Sequence, residues 1–318
     1  MPTQPKVPKP IAAKSTPLRA PLTAKNTRRC IRARDGVEIF IDVLSSAPAA
    51  DRGAVFVTLP TIERTAREFA PFAHRLCETR SATVFSINGR GRGGSGSGNY
   101  GHTKDADDLL DILTGLGIEH AHFVASGYGG LVAMSLAASR PGAMLALTLV
   151  DSAPALDATG LARLQYRLRR EPSYAGREQA LDRLSTYEHK HFPNATEQLF
   201  GQMLDAAYCS GTVKKQERWI PDMQADYLKR LTDLDLSESL TPRWNLFTGL
   251  ASVPMMIVQP QGSTLVGKPV FQKMLSARKK STVSTHHMSL ADQGSTPILH
   301  GKLCDAVIDF HLKGPADR

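Results

Sequence analysis

The sequence lacks any run of the ~18–20 apolar residues that a membrane-spanning helix needs, so no integral membrane span is expected. It lacks the apolar stretch of a secretory leader as well. Its four cysteines, Cys30, Cys77, Cys209 and Cys304, lie far apart without a C-x-x-C pair, so neither a zinc site nor a redox motif is signalled. No metal and no cofactor are expected. Scattered cysteines usually act as small buried hydrophobes, and a cytoplasmic protein is the simplest expectation. Internal repeats are missing too. Acidic residues are absent from positions 1–34, which hold nine basic ones, leaving thirty basic against thirty acidic in the rest. The net charge of +9 therefore belongs to the N-terminal segment and not to a basic face on the folded part, which weakens a nucleic-acid reading.

What is present begins with a Pro- and Lys-rich segment, residues 1–27, with too little apolar content to repay ordering. A disordered basic arm is expected there: a solvated tail, a contact for an anionic surface, or a transit peptide. Two β-like runs follow, Cys30–Arg34 and Val37–Val43, around the Asp35-Gly36 turn signal. The runs Ala54–Leu59, Ala82–Ile87, Ala121–Ala125 and Leu145–Val150 read as strands buried on both faces. Between them, Arg64–Thr79, Lys104–Leu116 and Tyr128–Ser139 repeat apolar residues at helical intervals. Asn88–Gly101 is a glycine-rich loop. This alternation means βαβ units on a parallel sheet.

From about Ser152 to Pro242 the pattern turns helical and polar, without strand signals. It then resumes with Val253–Gln259, Lys268–Ala277, a β-like Ser281–Thr285 and a helix near His300–Leu312. The expected architecture is a mostly parallel, eight-stranded sheet with helices on both faces. Residues 28–151 and 243–318 would form the core, and 152–242 an inserted helical cap. Within the cap, Leu161, Leu164 and Leu168 mark an amphipathic helix whose arginines form a solvated basic face. Trp219 and Trp244 are expected to pack the cap and the return to the core.

The informative segment is Val124-Ala125-Ser126-Gly127-Tyr128-Gly129-Gly130-Leu131, a strand turning sharply into a helix. It resembles the G-x-S-x-G elbow of α/β hydrolases, with Gly127 where the nucleophilic serine belongs. The resemblance extends to Leu59–Arg64, similar to the oxyanion turn, and to Asn88–Ser95, similar to the D-x-R-G-x-G-x-S loop. Val150–Pro154 is similar to the strand end that opens the cap. Gln261–Val266 resembles the loop that carries the acid, with Thr264 in its place. Asp292–Leu299 resembles the histidine signature, with Ser295 in its place. Together these motifs span roughly residues 30–312.

The resemblance implies the hydrolase fold without its triad. A serine hydroxyl attacks only when an imidazole takes its proton and a carboxylate orients that imidazole. Gly127, Thr264 and Ser295 supply none of the three. The expectation is a protein that binds a small-molecule ligand or a protein partner, with the Ile62 and Tyr128 N–H groups kept as oxyanion donors. The alternative is an active hydrolase of small esters or amides with a displaced triad of Ser126, Asp151 and His286 or His287. Ser126 is a poor nucleophile here, because one residue along a strand turns the side chain to the other face. His300 reads as a helix-start residue. Gly89–Gly94 also fits G-x-G-x-x-G, but no helix is expected to start there, so a dinucleotide site is disfavoured. Arg90 and Arg92 read as stabilisers of their own loop.

Overall fold

In the computed structural model the described residues are 24–48, 51–171, 173–236, 241–260, 263–279, 285–290 (backbone only) and 299–312. Most of residues 1–27, and Ser295 with its flanking loop, lie outside them.

Eight strands form one sheet: β1 (Lys25–Arg32), β2 (Glu38–Ser45), β3 (Ala54–Leu59), β4 (Ala82–Ile87), β5 (Ala121–Ser126), β6 (Met144–Val150), β9 (Met255–Pro260) and β10 (Thr285–Leu290). Their order is β1-β2-β4-β3-β5-β6-β9-β10. The β1/β2 and β2/β4 pairs are antiparallel and the remaining five parallel. Side chains alternate across the sheet, so each central strand feeds two cores. On one face Val57, Leu59, Phe123, Leu147 and Ile257 pack against α2 (His102–Gly115) and α3 (Tyr128–Ser139). On the other, Phe56, Val84, Val124 and Val258 meet α1 (Ala70–Thr79) and the C-terminal helix α10 (Gly301–Leu312). The fully buried rings of Phe56, Phe72 and Phe123 contribute roughly 1.5–3 kcal/mol each through burial.

Between β6 and β9 the chain builds α4 (Ala158–Arg170), α5 (Arg177–Glu188), α6 (Glu197–Ala207), β7 (Tyr208–Val213), β8 (Gln216–Pro221), α7 (Ala225–Asp233) and α8 (Trp244–Thr248). A satellite core of Tyr174, Leu184, Phe192, Phe200, Met203 and Leu204 holds α5 and α6 together, with Trp219 packed against it. Trp244 packs against the main core. The last α/β unit adds α9 (Lys268–Arg278) before β10.

Four expectations need correction. First, β1 starts at Lys25 and not near Cys30, so the arm ends earlier than residue 27. This strand is exposed along almost its whole length, and main-chain pairing from Lys25↔Ser45 to Arg32↔Glu38 holds it, which leaves no hydrophobic signature. Second, the segment read as purely helical contains the β7–β8 hairpin, turned by Lys214 and Lys215 at φ 49° and 65°. Hairpin turns of this hand favour Asn-Gly or Asp-Gly, so Lys-Lys conceals one. Third, the final strand runs Thr285–Leu290, displaced from the expected Ser281–Thr285, of which 281–284 lie outside the described residues. Fourth, the basic face of α4 is not wholly solvated. Arg167 is 7% exposed and turns inward.

The glycine-rich loop is anchored by its arginines. The buried Arg90 guanidinium pairs with Asp108 and Asp35, and Arg92 donates to the Thr61 carbonyl at 2.8 Å between the rings of Tyr128 and Tyr227. The next helix, α2, begins only at His102.

Candidate active-site pocket

Strand β5, buried throughout, ends at Ser126 and hands the chain to Gly127, which opens α3 at φ 45° and ψ −116°. A positive φ of this kind suits glycine and strains other residues. Two residues on, a Cβ at Gly129 would lie 2.2 Å from the Leu59 carbonyl oxygen, so only glycine lets α3 sit this close to β3. The backbone therefore has the sharp strand-to-helix turn of a nucleophile elbow.

The space beyond that turn is taken. A Cβ at Gly127 would fall 2.3 Å from Thr61 Oγ1 and 3.0 Å from Thr61 Cβ. Thr61 is itself pinned: its N–H donates to Glu68 Oε2 at 2.8 Å, and its carbonyl accepts from Arg92. Its side chain, and not Gly127, forms the wall of the cavity above the elbow. Among the described residues, the Ile62 and Tyr128 N–H groups on either side have no backbone or side-chain acceptor in the chain, so both remain able to donate to a ligand.

That cavity has a volume of about 460 Å3 and lies over the carboxyl ends of the strands. Ile62, Tyr128, Asp151 and Thr264 all line it, and α4, α5 and α6 supply its outer wall. Thr264 Oγ1 accepts from Arg163 at 2.9 Å, so the position that would carry an acid instead receives a cation from α4. Tyr128 donates to Asp105 at 3.0 Å, and burial raises the pKa of its phenol well above the usual value.

The displaced-triad residues are not brought together. Ser126 is 1% exposed and lies beneath the elbow, where its hydroxyl faces the buried Glu68 instead of the cavity. His286 and His287 pair with Met256 and Ile257 near the start of β9 and β10. At roughly 3.3 Å per residue, that is about 10 Å short of the strands' carboxyl ends. His300 precedes α10, and its carbonyl accepts from Leu303 and Cys304. Among the described side chains of that set, Asp151 alone lines the cavity. Ser295 lies outside the described residues.

Asp151 is 4% exposed, holds a positive φ of 47°, and accepts a hydrogen bond from Ser263. Burial pushes its carboxyl up to about 6, against the opposing Ser263 donor and Arg64 charge. A raised carboxylate pKa means the native state holds its proton more tightly than the unfolded chain. Stability is then lost as pH rises from about 4 to 6, and the cost is complete above that window. Asp151→Asn is expected to raise stability by about 2–3 kcal/mol at pH 8 and to change little near pH 4. Chemical denaturation at both pH values checks this, and an equal difference at each would contradict it.

Sequence reasoning missed the charged wall of the cavity, Arg163, Arg167 and Glu188. Its only trace was spacing: Arg167 stands three residues after Leu164 and borders the apolar stripe of α4. Among the described residues no group of three or more His, Cys, Asp or Glu side chains could hold a metal ion, and no helix is long and apolar enough to cross a membrane.

The sequence matches the alpha/beta hydrolase family over residues 53–296, from the start of β3 to beyond β10. The chain belongs to this family. Among solved structures, an alpha/beta hydrolase from Novosphingobium aromaticivorans superposes with a TM-score of 0.73 at 21% identity, over 91% of this chain and 99% of that one. E-2-(acetamidomethylene)succinate hydrolase gives 0.69 at 17% identity, over 90% and 99%. The enol-lactonase from Burkholderia xenovorans gives 0.65 at 15%, over 90% and 100%. At these identities the likeness is one of fold. No curated protein matches the sequence.

Proposed function

We propose that this α/β-hydrolase family member has no serine-hydrolase chemistry and uses the cavity between its sheet and residues 152–242, acting as a cap, to bind a small-molecule ligand. The observation that carries the reading is Gly127, whose missing Cβ is replaced in space by Thr61. Change at the acid position fits it, because Thr264 is engaged by Arg163 and has no charge with which to orient a histidine. What the fold keeps is the binding apparatus: a cavity within the roughly 300–1,000 Å3 range of small-molecule sites, and the two backbone donors above the elbow.

The test is a turnover panel with 4-nitrophenyl acetate and butyrate, a butyryl thioester and a γ-lactone. No saturable hydrolysis above the buffer rate is expected from the purified protein at pH 7–9. Saturable turnover that disappears in Ser126→Ala or Asp151→Asn would instead establish the displaced-triad hydrolase.

A further inference from the structure

Arg167 is buried in the cavity wall with almost nothing to bind. Its side chain is 8% exposed, its one ion pair among the described residues, to Glu188 Oε1, is long at 3.9 Å, and Glu63 acts on its charge from further off. Glu188 is already engaged by Arg163 at 2.9 Å. Among the described residues, none of the five guanidinium N–H donors of Arg167 makes a hydrogen bond. Beside it, within electrostatic reach, stands the hydroxyl of Tyr208, a residue 3% exposed that also lines the cavity. That hydroxyl is buried and interacts with the neighbouring Tyr174 phenol, without reaching full hydrogen-bond geometry to any described residue. Glu188 and Glu63 stabilise the Arg167 charge, but among the described residues neither accepts a hydrogen bond from it, so this guanidinium at the wall of a cavity keeps donors that a ligand oxygen can take.

The surroundings define what would satisfy them. Six cationic side chains line the cavity against three carboxylates, and the exposed Lys190 and Arg230 belong to that excess. The rest of the wall is apolar, with Leu161, Leu164, Phe192, Met203 and Leu231 turned toward the space. We propose that Arg167 and Tyr208 form an anion subsite, and that the ligand is a small organic acid whose carboxylate they receive while its apolar body fills the cavity. This rests on reading the cavity as a ligand site. A guanidinium matches a carboxylate edge-on through two parallel hydrogen bonds, and the tyrosine hydroxyl adds a third donor. The nearby carboxylates of Glu188 and Glu63 oppose a second negative charge, so a monoanionic carboxylate is favoured over a phosphate monoester.

The experiment measures binding of 4-phenylbutyrate, its neutral amide 4-phenylbutanamide, and 4-phenylbutyl phosphate by titration calorimetry. The acid is expected to bind the wild-type protein about tenfold or more tightly than the amide, and more tightly than the phosphate. In Arg167→Met that preference collapses while amide affinity stays. In Tyr208→Phe it falls a few-fold, and this variant keeps the test open whatever the arginine substitution does to folding. Equal affinity for acid and amide, a preference that survives Arg167→Met, or binding of neither probe would overturn the subsite. A tighter phosphate than acid would overturn the choice of carboxylate. Hydrolysis of 4-nitrophenyl butyrate in the same preparation would overturn the non-catalytic reading and leave the acid preference standing.

Discussion

Gly127→Ser should unfold at a markedly lower denaturant concentration than the wild-type protein and gain no esterase activity. The new Cβ would arrive 2.3 Å from Thr61 Oγ1, well inside contact distance, on a backbone already at φ 45°. Overpacking of this kind costs roughly 1–3 kcal/mol, and a strained left-handed residue of order 1–3 more, giving about 3–5 kcal/mol together. Thr61 has little room to yield, because Glu68 and Arg92 hold its backbone on both sides. The double variant Thr61→Gly/Gly127→Ser should recover the overpacking part, so the two substitutions couple by about 1–3 kcal/mol in a double-mutant cycle. Additive effects would show that Thr61 does not occupy the serine's place.

Asp108→Ala is expected to cost about 3–5 kcal/mol, because it strands a fully buried guanidinium. Arg90 is 0% exposed at its side chain, and its Nε and Nη2 both donate to Asp108, with the Nη2 contact at 2.6 Å. Its Nη1 already has no partner among the described residues, so after the substitution only the half-exposed Asp35 would face the charge. The loop that Arg90 anchors carries Arg92, which braces Thr61, so loosening it should reach the elbow as well. Replacing both members, as Arg90→Met/Asp108→Leu, should cost less than Asp108→Ala alone, since removing a buried pair leaves no orphan. Equilibrium urea unfolding of the three proteins decides the matter, and a smaller loss in Asp108→Ala than in the double variant would contradict it.

How legible the molecule was depended on where the determining forces lay. Ala54–Leu59 and Ala82–Ile87 are continuous apolar runs, and both strands fall within those bounds because burial on both faces writes itself into every residue. Tyr128–Ser139 was equally legible, since small residues at 129 and 130 can only serve a close helix–strand contact. The start of β1 was not, because main-chain pairing at a solvated edge selects no particular side chains. The β7–β8 turn was hidden for the same reason, with two lysines taking a conformation normally marked by glycine or asparagine.

Within the site, the elbow and the residues at 62, 128, 151 and 264 could be placed from local motifs. Thr61 in the serine's space could not, because it joins the end of β3 to the end of β5 across the sheet, and no local pattern encodes such a contact. Arg167 was misassigned to solvent because helical periodicity gives the direction of a side chain without saying what covers it. It took the helices packed beside α4 to make that direction inward.

The most direct measurement is the intact mass of the wild-type protein after incubation with an excess of a fluorophosphonate, which reacts only with an activated nucleophile. An unchanged mass is predicted, because the elbow offers Gly127 and the neighbouring Ser126 hydroxyl is turned down onto Glu68. A stoichiometric adduct, mapped to any serine of the cavity and lost on heat denaturation before treatment, would contradict it.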